Sequence, residues 1–328
     1  MPQRKYSVII SNFGNRADRF LSSYGEDRTL AQLFDSATRT PGLAGVEMVG
    51  TWHITTRNVE EVRRQLQDHN LKLVSIIPDH FASPVYSRGA FTAKDPQVRA
   101  RAIADTRAML DIAADLGCDL VNVWNGQDGY DYSFQADYEQ EHGWLVDGLR
   151  ECAAYRPDVR LALEYKPKEP RTHSYLGTAA GALLVAQEIG LPNVGVTIDV
   201  GHALAAYENV AESVVIVNRA GGKLFHMHLN DNYRLWDDDM MVGSVHTVEY
   251  LELLYWLDHV GYDGYLSMDQ YPYREDTEAA IAESIRWLDA MGCMLERVSA
   301  ERITEVIRRG DATEASRMVR EMMMGSAS

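Results

Sequence analysis

In the run Leu161-Ala-Leu-Glu-Tyr-Lys-Pro-Lys-Glu-Pro-Arg171, a carboxylate (Glu164) and an ammonium (Lys166) stand two residues apart at the end of an apolar stretch that Pro167 stops. Side chains alternate between the two faces of a strand, so both groups project to one side and reach one spot. Three further apolar runs end in the same way: residues 194–199 in Asp199, residues 224–230 with His228, and residues 265–270 with Asp269. Hard divalent cations take oxygen ligands with some imidazole. Glu164, Asp199, His228 and Asp269 therefore form a candidate metal set, suited to Mn2+, with Co2+ or Mg2+ as alternatives, better than to structural zinc. Any one of these carboxylates alone reads as a strand-end cap; their recurrence at four strand ends is what makes the assignment.

Other side chains cluster around this set. His202 follows Asp199 by three residues, and Asp237 and Asp239 follow His228 by one loop. These three either hold a second ion, or His202 orients substrate and the acidic run is a solvated loop. Lys166 is placed to polarise a substrate carbonyl, its competing role being a salt bridge to Glu169 or another carboxylate. His53 and His80, each just past a strand, compete as the acid/base because imidazole titrates near neutrality. His226 shares the face of His228 but lies deeper, as a supporting residue would. Trp52, Trp124 and Arg234 complete the substrate contacts, and Tyr130, Tyr132, Phe134 and Trp236 extend the aromatic wall that could stack on a sugar.

Positioning these groups requires a particular alternation. Short apolar strands are expected at 6–11, 45–49, 72–78, 120–124, 160–165, 194–199, 224–230 and 265–270. Helical patterns at 58–69, 96–116, 139–155, 176–189 and 245–260 lie between them, several opened by cap residues and closed by glycine. Such alternation demands a parallel sheet with crossover helices, and polar groups at the carboxyl ends of many strands favour a closed (β/α)8 TIM barrel over an open sheet. Helix 276–291 closes the barrel. The division is a catalytic domain over 1–291 and, over 292–328, a C-terminal helical extension (helix 299–323) with a polar tail.

The 328 residues carry a formal charge of −16 and no dense basic run, which argues against nucleic acid as a partner. Cys118, Cys152 and Cys293 lack paired spacing and read as reduced core residues. With no long apolar segment at the N-terminus or elsewhere, secretion and membrane insertion are disfavoured and the cytoplasm is the expected compartment.

The chain from about Val46 to Met291 resembles the xylose-isomerase-like TIM barrels. Glu164-Tyr-Lys-Pro-Lys-Glu169 is similar to their segment bearing a metal carboxylate and the carbonyl-polarising lysine. Trp124-Asn-Gly-Gln-Asp-Gly129 is similar to the loop that walls the sugar site, and His202, Asp237 and Asp239 match a second metal site. His228 resembles rhamnose isomerases and ketose epimerases, a departure from simple pentose isomerases. The resemblance implies an aldose–ketose isomerase or ketose epimerase on one reading. On a second, slightly preferred for the aromatic loop and short helical tail, the chain looks like the catalytic α subunit of bacterial C-glycoside deglycosidases. These are carbon–carbon lyases acting on 3-oxo-C-glycosides of aromatic aglycones, and they imply a small β partner subunit. A non-catalytic sugar-binding barrel is the third reading; such a module has no need of Lys166 beside a complete ligand set.

Overall fold

The computed structural model describes residues 4–169 and 171–325; Pro170 of the lysine motif, residues 1–3 and the polar tail at 326–328 lie outside the described residues. The first half of the chain runs β1 (Lys5–Ile9), α1 (Leu30–Arg39), β2 (Leu43–Val49), α2 (Val59–Asp68), β3 (Lys72–Ile77), α3 (Pro96–Asp115), β4 (Leu120–Trp124), β5 (Gly129–Tyr130) and α4 (Tyr138–Tyr155). There follow β6 (Arg160–Glu164), β7 (His173–Ser174), α5 (Ala179–Ile189), β8 (Val194–Asp199), α6 (Val200–Ala205), α7 (Val210–Arg219), β9 (Leu224–Leu229), α8 (Thr247–His259) and β10 (Tyr265–Met268). Three helices, α9 (Thr277–Leu295), α10 (Ala300–Arg309) and α11 (Ala312–Met324), end the described chain.

The expected barrel is present. Parallel strands close in the order β1-β10-β9-β8-β6-β4-β3-β2, and β5 and β7 form a separate antiparallel pair. Outward-facing residues such as Val46, Met48, Val121, Val196, Ile198, Met227 and Met268 are fully buried. Helix residues such as Leu110, Leu149, Val214 and Leu254 are equally buried and belong to the same continuous core. Truncating one of them, for instance Leu254→Ala, would cost about 2–5 kcal/mol. The inward row is different: Ser7, Glu47, Ser75, Asn122, Thr197, His226 and Ser267 are polar and buried almost completely. A TIM barrel interior is ordinarily packed with branched aliphatic side chains. Here the barrel floor is a polar layer directly beneath the carboxyl-terminal mouth, in which Glu47 bonds Ser75 and His226 and Thr197 bonds Asn122.

Three helices had no counterpart in the expected pattern: α1, α6 and α7. Helix α1 does carry a local signal, because Thr29 and Gln32 form a reciprocal capping box. The expected single helix over 299–323 is two helices. Gly310, at φ +63°, ends α10 and the Asp311 carboxylate caps α11, so the chain turns where a glycine permits it. Cys118 and Cys152 are buried as expected, but Cys293 is exposed, because it falls on the outer face of α9. Among the described residues no helix is long and apolar enough to cross a membrane.

Loops at the mouth are tied to one another. Asp128, after β4, accepts N–H bonds from Ala90 and Thr92 at 2.7 and 2.8 Å and so pins the loop after β3. Strand β5 pairs with β7, joining the loops that follow β4 and β6, and Asp131 holds Thr172 at 2.8 Å. The segments carrying Trp124 and Lys166 are thereby fixed relative to each other.

Candidate active site and metal centre

Four side chains from adjacent strand ends meet at the mouth. Glu164 ends β6, Asp199 ends β8, His228 is the penultimate residue of β9, and Asp269 follows β10, its N–H bonded to the Leu229 carbonyl at 3.0 Å. Their potential ligand atoms all lie within 4.8 Å of one another. His228 Nδ1 is 3.3 Å from Glu164 Oε1 and 3.3 Å from Asp269 Oδ2. Inward neighbours hold the carboxylates in place. Asn122 donates to Glu164 Oε2 at 2.7 Å and is itself oriented by the Thr197 hydroxyl at 2.6 Å. Asn230 donates to Asp199 Oδ2 at 3.1 Å and to Asp239 Oδ1 at 3.2 Å.

Asp199 has a second task, since its Oδ1 accepts the His202 N–H at 2.8 Å and caps α6. That short helix swings His202 over the site. Gly201 between them must be glycine, because a Cβ there would collide with Asn230 Oδ1 and sit 2.9 Å from Asp237 Oδ1.

The electrostatics favour a cation. Burial, with Asp237, Asp269 and Glu164 adding repulsion, pushes the Asp199 carboxyl up to about 7 against the opposing pull of His202. Burial and the charges of Asp237 and Asp269 likewise hold Asp239 well above the usual carboxylate range. Burial would also raise Glu164, but the imidazoles of His228 and His202 and the Asn122 amide draw it down. Burial opposes charge on His228 too, yet Glu164 and Glu47 raise its pKa well above that of free imidazole. In the bare chain, protons thus occupy positions where a divalent ion would relieve the crowding of carboxylates, and the donor set fits such an ion.

His202 Nδ1 lies 3.4 Å from Glu164 Oε1, and its Nε2 is 3.1 Å from Asp237 Oδ2. Burial alone would lower its pKa; Asp199 and Asp237 outweigh that and raise it to about 9. The atoms close enough to hold a second cation belong to Asp199, His202 and Asp237. Asp239, expected in that group, instead bonds Asn230. Lys166 is the other neighbour of Asp237, at 2.8 Å, and it also pairs with Glu169. The salt bridge weighed against its catalytic role is therefore present, while the ammonium still lines the cavity. Burial works against its charge, but Asp237 and Glu169 keep it protonated, and in turn Lys166 and His202 hold Asp237 below the usual carboxylate range despite its burial.

The cavity over these groups measures about 270 Å3 and is lined by Glu164, Lys166, Glu169, His202, Asp237, Asp239 and Asp269 on its polar side. Six aromatic rings, Trp52, Phe81, Trp124, Trp236, Tyr271 and Tyr273, line much of the rest, together with Ile9, Val49 and Ile77 at the strand ends. Trp52 meets Phe81 at 5.6 Å between ring centroids, Phe81 meets Trp124 at 4.6 Å, and Trp124 stacks on His202 at 6.4 Å, a continuous wall of rings. The Lys166 ammonium lies 5.2 Å from the Trp124 ring centre.

Several sequence expectations do not reach the cavity. His53 does not line it: Nδ1 accepts the Val49 N–H at 3.0 Å, and burial together with Arg16 lowers its pKa to about 4. His80 is sealed between Tyr86 and Phe91 with its Nε2 3.3 Å from Thr106, and burial lowers it to about 4. Both histidines follow strands that face the mouth, but the turns after β2 and β3 rotate them inward. Arg234 faces His246 and Glu249 instead of a substrate, at 3.1 and 3.2 Å. Tyr130 packs on Tyr138, His173 and Tyr175, and Phe134 is fully exposed. Conversely, Glu47, Asn122, Phe81, Tyr271 and Tyr273 carry weight that the sequence alone did not reveal. Strand parity would have pointed to Asn122, two residues before Trp124, and to Glu47, two before Val49.

The family described as xylose isomerase-like TIM barrel matches residues 36–291 of the chain. Xylose isomerase from Thermus thermophilus is 31% identical over 242 residues, which is 72% of this chain and 61% of that enzyme. This chain thus aligns with about three-fifths of the relative's length. Among solved structures, a D-allulose 3-epimerase from Methylomonas sp. superposes with a TM-score of 0.68 at 17% identity, covering 88% of this chain and 97% of that one. A 3-keto-D-glucoside 4-epimerase from E. coli does so with a TM-score of 0.66 at 19% identity, covering 88% and 99%. At these identities the structural likeness is one of fold.

Proposed function

This chain belongs to the xylose isomerase-like TIM-barrel family, and from that premise we propose that it is a divalent-metal-dependent sugar isomerase or epimerase. The observation that carries the reading is the convergence of Glu164, Asp199, His228 and Asp269 within 4.8 Å at the barrel mouth. Mn2+ is the ion we expect, with Co2+ or Mg2+ as substitutes. When bound, the cation would act as a Lewis acid toward vicinal sugar oxygens, drawing off negative charge as a neighbouring C–H bond breaks or a hydride shifts. Lys166 donates a hydrogen bond to the substrate carbonyl oxygen, held protonated and aimed by Asp237 and Glu169. Trp124 and Phe81 cover one face of the sugar and keep water from it. With neither His53 nor His80 at the cavity, proton transfer falls to Glu169 and Asp239, lining carboxyls outside the ligand set; Glu169 pairs with Lys166 alone, whereas Asp237 is held by both Lys166 and His202.

Incubation with Mn2+ in D2O and free aldoses, ketoses or 3-oxo-glucosides tests this directly. Deuterium entering the carbon next to the carbonyl marks proton transfer, and the product's configuration or carbonyl position then tells epimerisation from isomerisation; interconversion of aldose and ketose without deuterium marks a hydride shift. No turnover of any sugar, with or without metal, would refute the reading, and tight sugar binding in that case would leave a non-catalytic barrel.

A second reading, a carbon–carbon lyase on 3-oxo-C-glycosides of aromatic aglycones, draws on one feature. The ring wall continues past Phe81 to Trp52, which is 45% exposed, a longer apolar surface than one sugar requires. In that reaction the C2–H beside the ketone is removed, the C1–C2 double bond forms as the C1–aryl bond breaks, and the aryl carbon takes up a proton. A small partner subunit would accompany it. Free aglycone released from a 3-oxo-C-glucoside favours this reading; its absence beside active epimerisation excludes it.

A further inference from the structure

Beneath the mouth lies a buried cluster whose deeper members, Glu47 and His226, have no part in the proposed chemistry. Glu47, on β2, is fully buried, and its carboxylate faces two imidazoles from β9. Oε1 is 2.9 Å from His226 Nε2 and Oε2 is 3.3 Å from His228 Nε2, while the Ser75 hydroxyl donates to Oε2. The two rings stand nearly perpendicular, 5.0 Å apart. Glu47, His226 and His228 are close enough to hold a cation of their own. A second ion there would need Nε2 of His228 bare while Nδ1 serves the site above, which leaves the ring an imidazolate. Two N–H donors and one hydroxyl donor filling the acceptor positions of one carboxylate satisfy every group without that cost.

We propose that Glu47 is the positioning residue of the metal site: by accepting the Nε2–H of His228 it fixes the ring's orientation and keeps that proton on Nε2, so that Nδ1, facing Glu164 and Asp269, is the nitrogen offered to the ion. The inference rests on the reading of Glu164, Asp199, His228 and Asp269 as ligands. His226 and Ser75 hold the carboxylate in the required plane. A carboxylate behind a ligating imidazole also raises its basicity. Glutamine at this position keeps the volume but offers one oxygen, and its NH2 forces the opposite tautomer on whichever imidazole it meets.

Titration calorimetry with Mn2+ on the wild type, Glu47→Gln and Glu164→Gln separates the possibilities. The expected result is loss of binding in Glu164→Gln and a Kd raised by about 10- to 100-fold in folded Glu47→Gln. If Glu164→Gln binds like the wild type, or the wild type binds nothing, the metal reading fails and this inference with it. If Glu164→Gln loses the ion while Glu47→Gln matches the wild type and only its melting temperature falls, Glu47 is structural and this inference alone is overturned. A measurement on the wild type decides the matter should Glu47→Gln not fold. In the Co2+-loaded protein, a paramagnetically shifted His228 N–H that exchanges slowly with solvent is expected, because Nε2–H is sealed against Glu47; a rapidly exchanging or missing signal overturns the proposal.

Discussion

Replacing Asp199 with asparagine should stabilise the metal-free protein at alkaline pH while destroying its capacity for metal. Burial and the surrounding carboxylates raise the Asp199 pKa from 3.8 to about 7, so the folded state holds a proton that the unfolded chain releases. The sign follows: this group's contribution is fully present below about pH 4 and is lost as pH rises through 7. At about 1.36 kcal/mol per pK unit, the full displacement is on the order of 4 kcal/mol. Asparagine avoids that loss and keeps an oxygen to cap α6. It forfeits the attraction to His202 and turns an amide toward the Asn230 Nδ2 donor, costs of about 1–2 kcal/mol. The expected net is a gain of about 2–3 kcal/mol at pH 8 and about zero at pH 5, where the unfolded carboxyl is already ionised and the wild type has lost about 1.6 kcal/mol of this contribution. Urea unfolding at both pH values, in EDTA and in Mn2+, measures this. In Mn2+ the order at pH 8 should reverse, because only the wild type gains binding free energy. If Asp199→Asn in EDTA is destabilised equally at pH 5 and pH 8, the picture of mutually repelling buried carboxylates is wrong.

Lys166→Met should lower kcat by about 100- to 1000-fold while retaining the metal, since an electrophile in a shielded site is removed; it should also melt earlier, because Asp237 and Glu169 lose their partner, and parallel kinetics and calorimetry check both. Trp124→Ala should raise KM about tenfold with a smaller effect on kcat if the proposed sugar site is right, as the ring that stacks on His202 and meets Phe81 in the cavity wall is lost. Arg234→Ala should leave kcat/KM within about twofold, since its guanidinium serves a half-exposed contact to Glu249; a large loss would return Arg234 to the substrate site.

Strand ends and the residues on them are readable in the sequence alone. Period-two apolar runs ending in Glu164, Asp199, His228 and Asp269 need only the alternation of a strand and the rule that parallel strands end on one side of a barrel. The same logic identified Lys166, two residues past Glu164. The short helix α6 was missed because six residues carry too little periodicity, and the break at Gly310 because apolar spacing runs on through it.

Where loops set direction, the sequence was silent. His53 and His80 occupy suitable positions in the order of residues, yet backbone turns after β2 and β3 bury both away from the cavity, and Arg234 turns to α8. Glu47 and Asn122 looked like ordinary strand interior until closure of the barrel set them against His226, His228 and Glu164. Local alternation therefore determined which side chains point inward and at which level. Only the closed barrel decided which of them meet, because partners more than forty residues apart in the chain are brought together by strand order and register, and no local pattern encodes either.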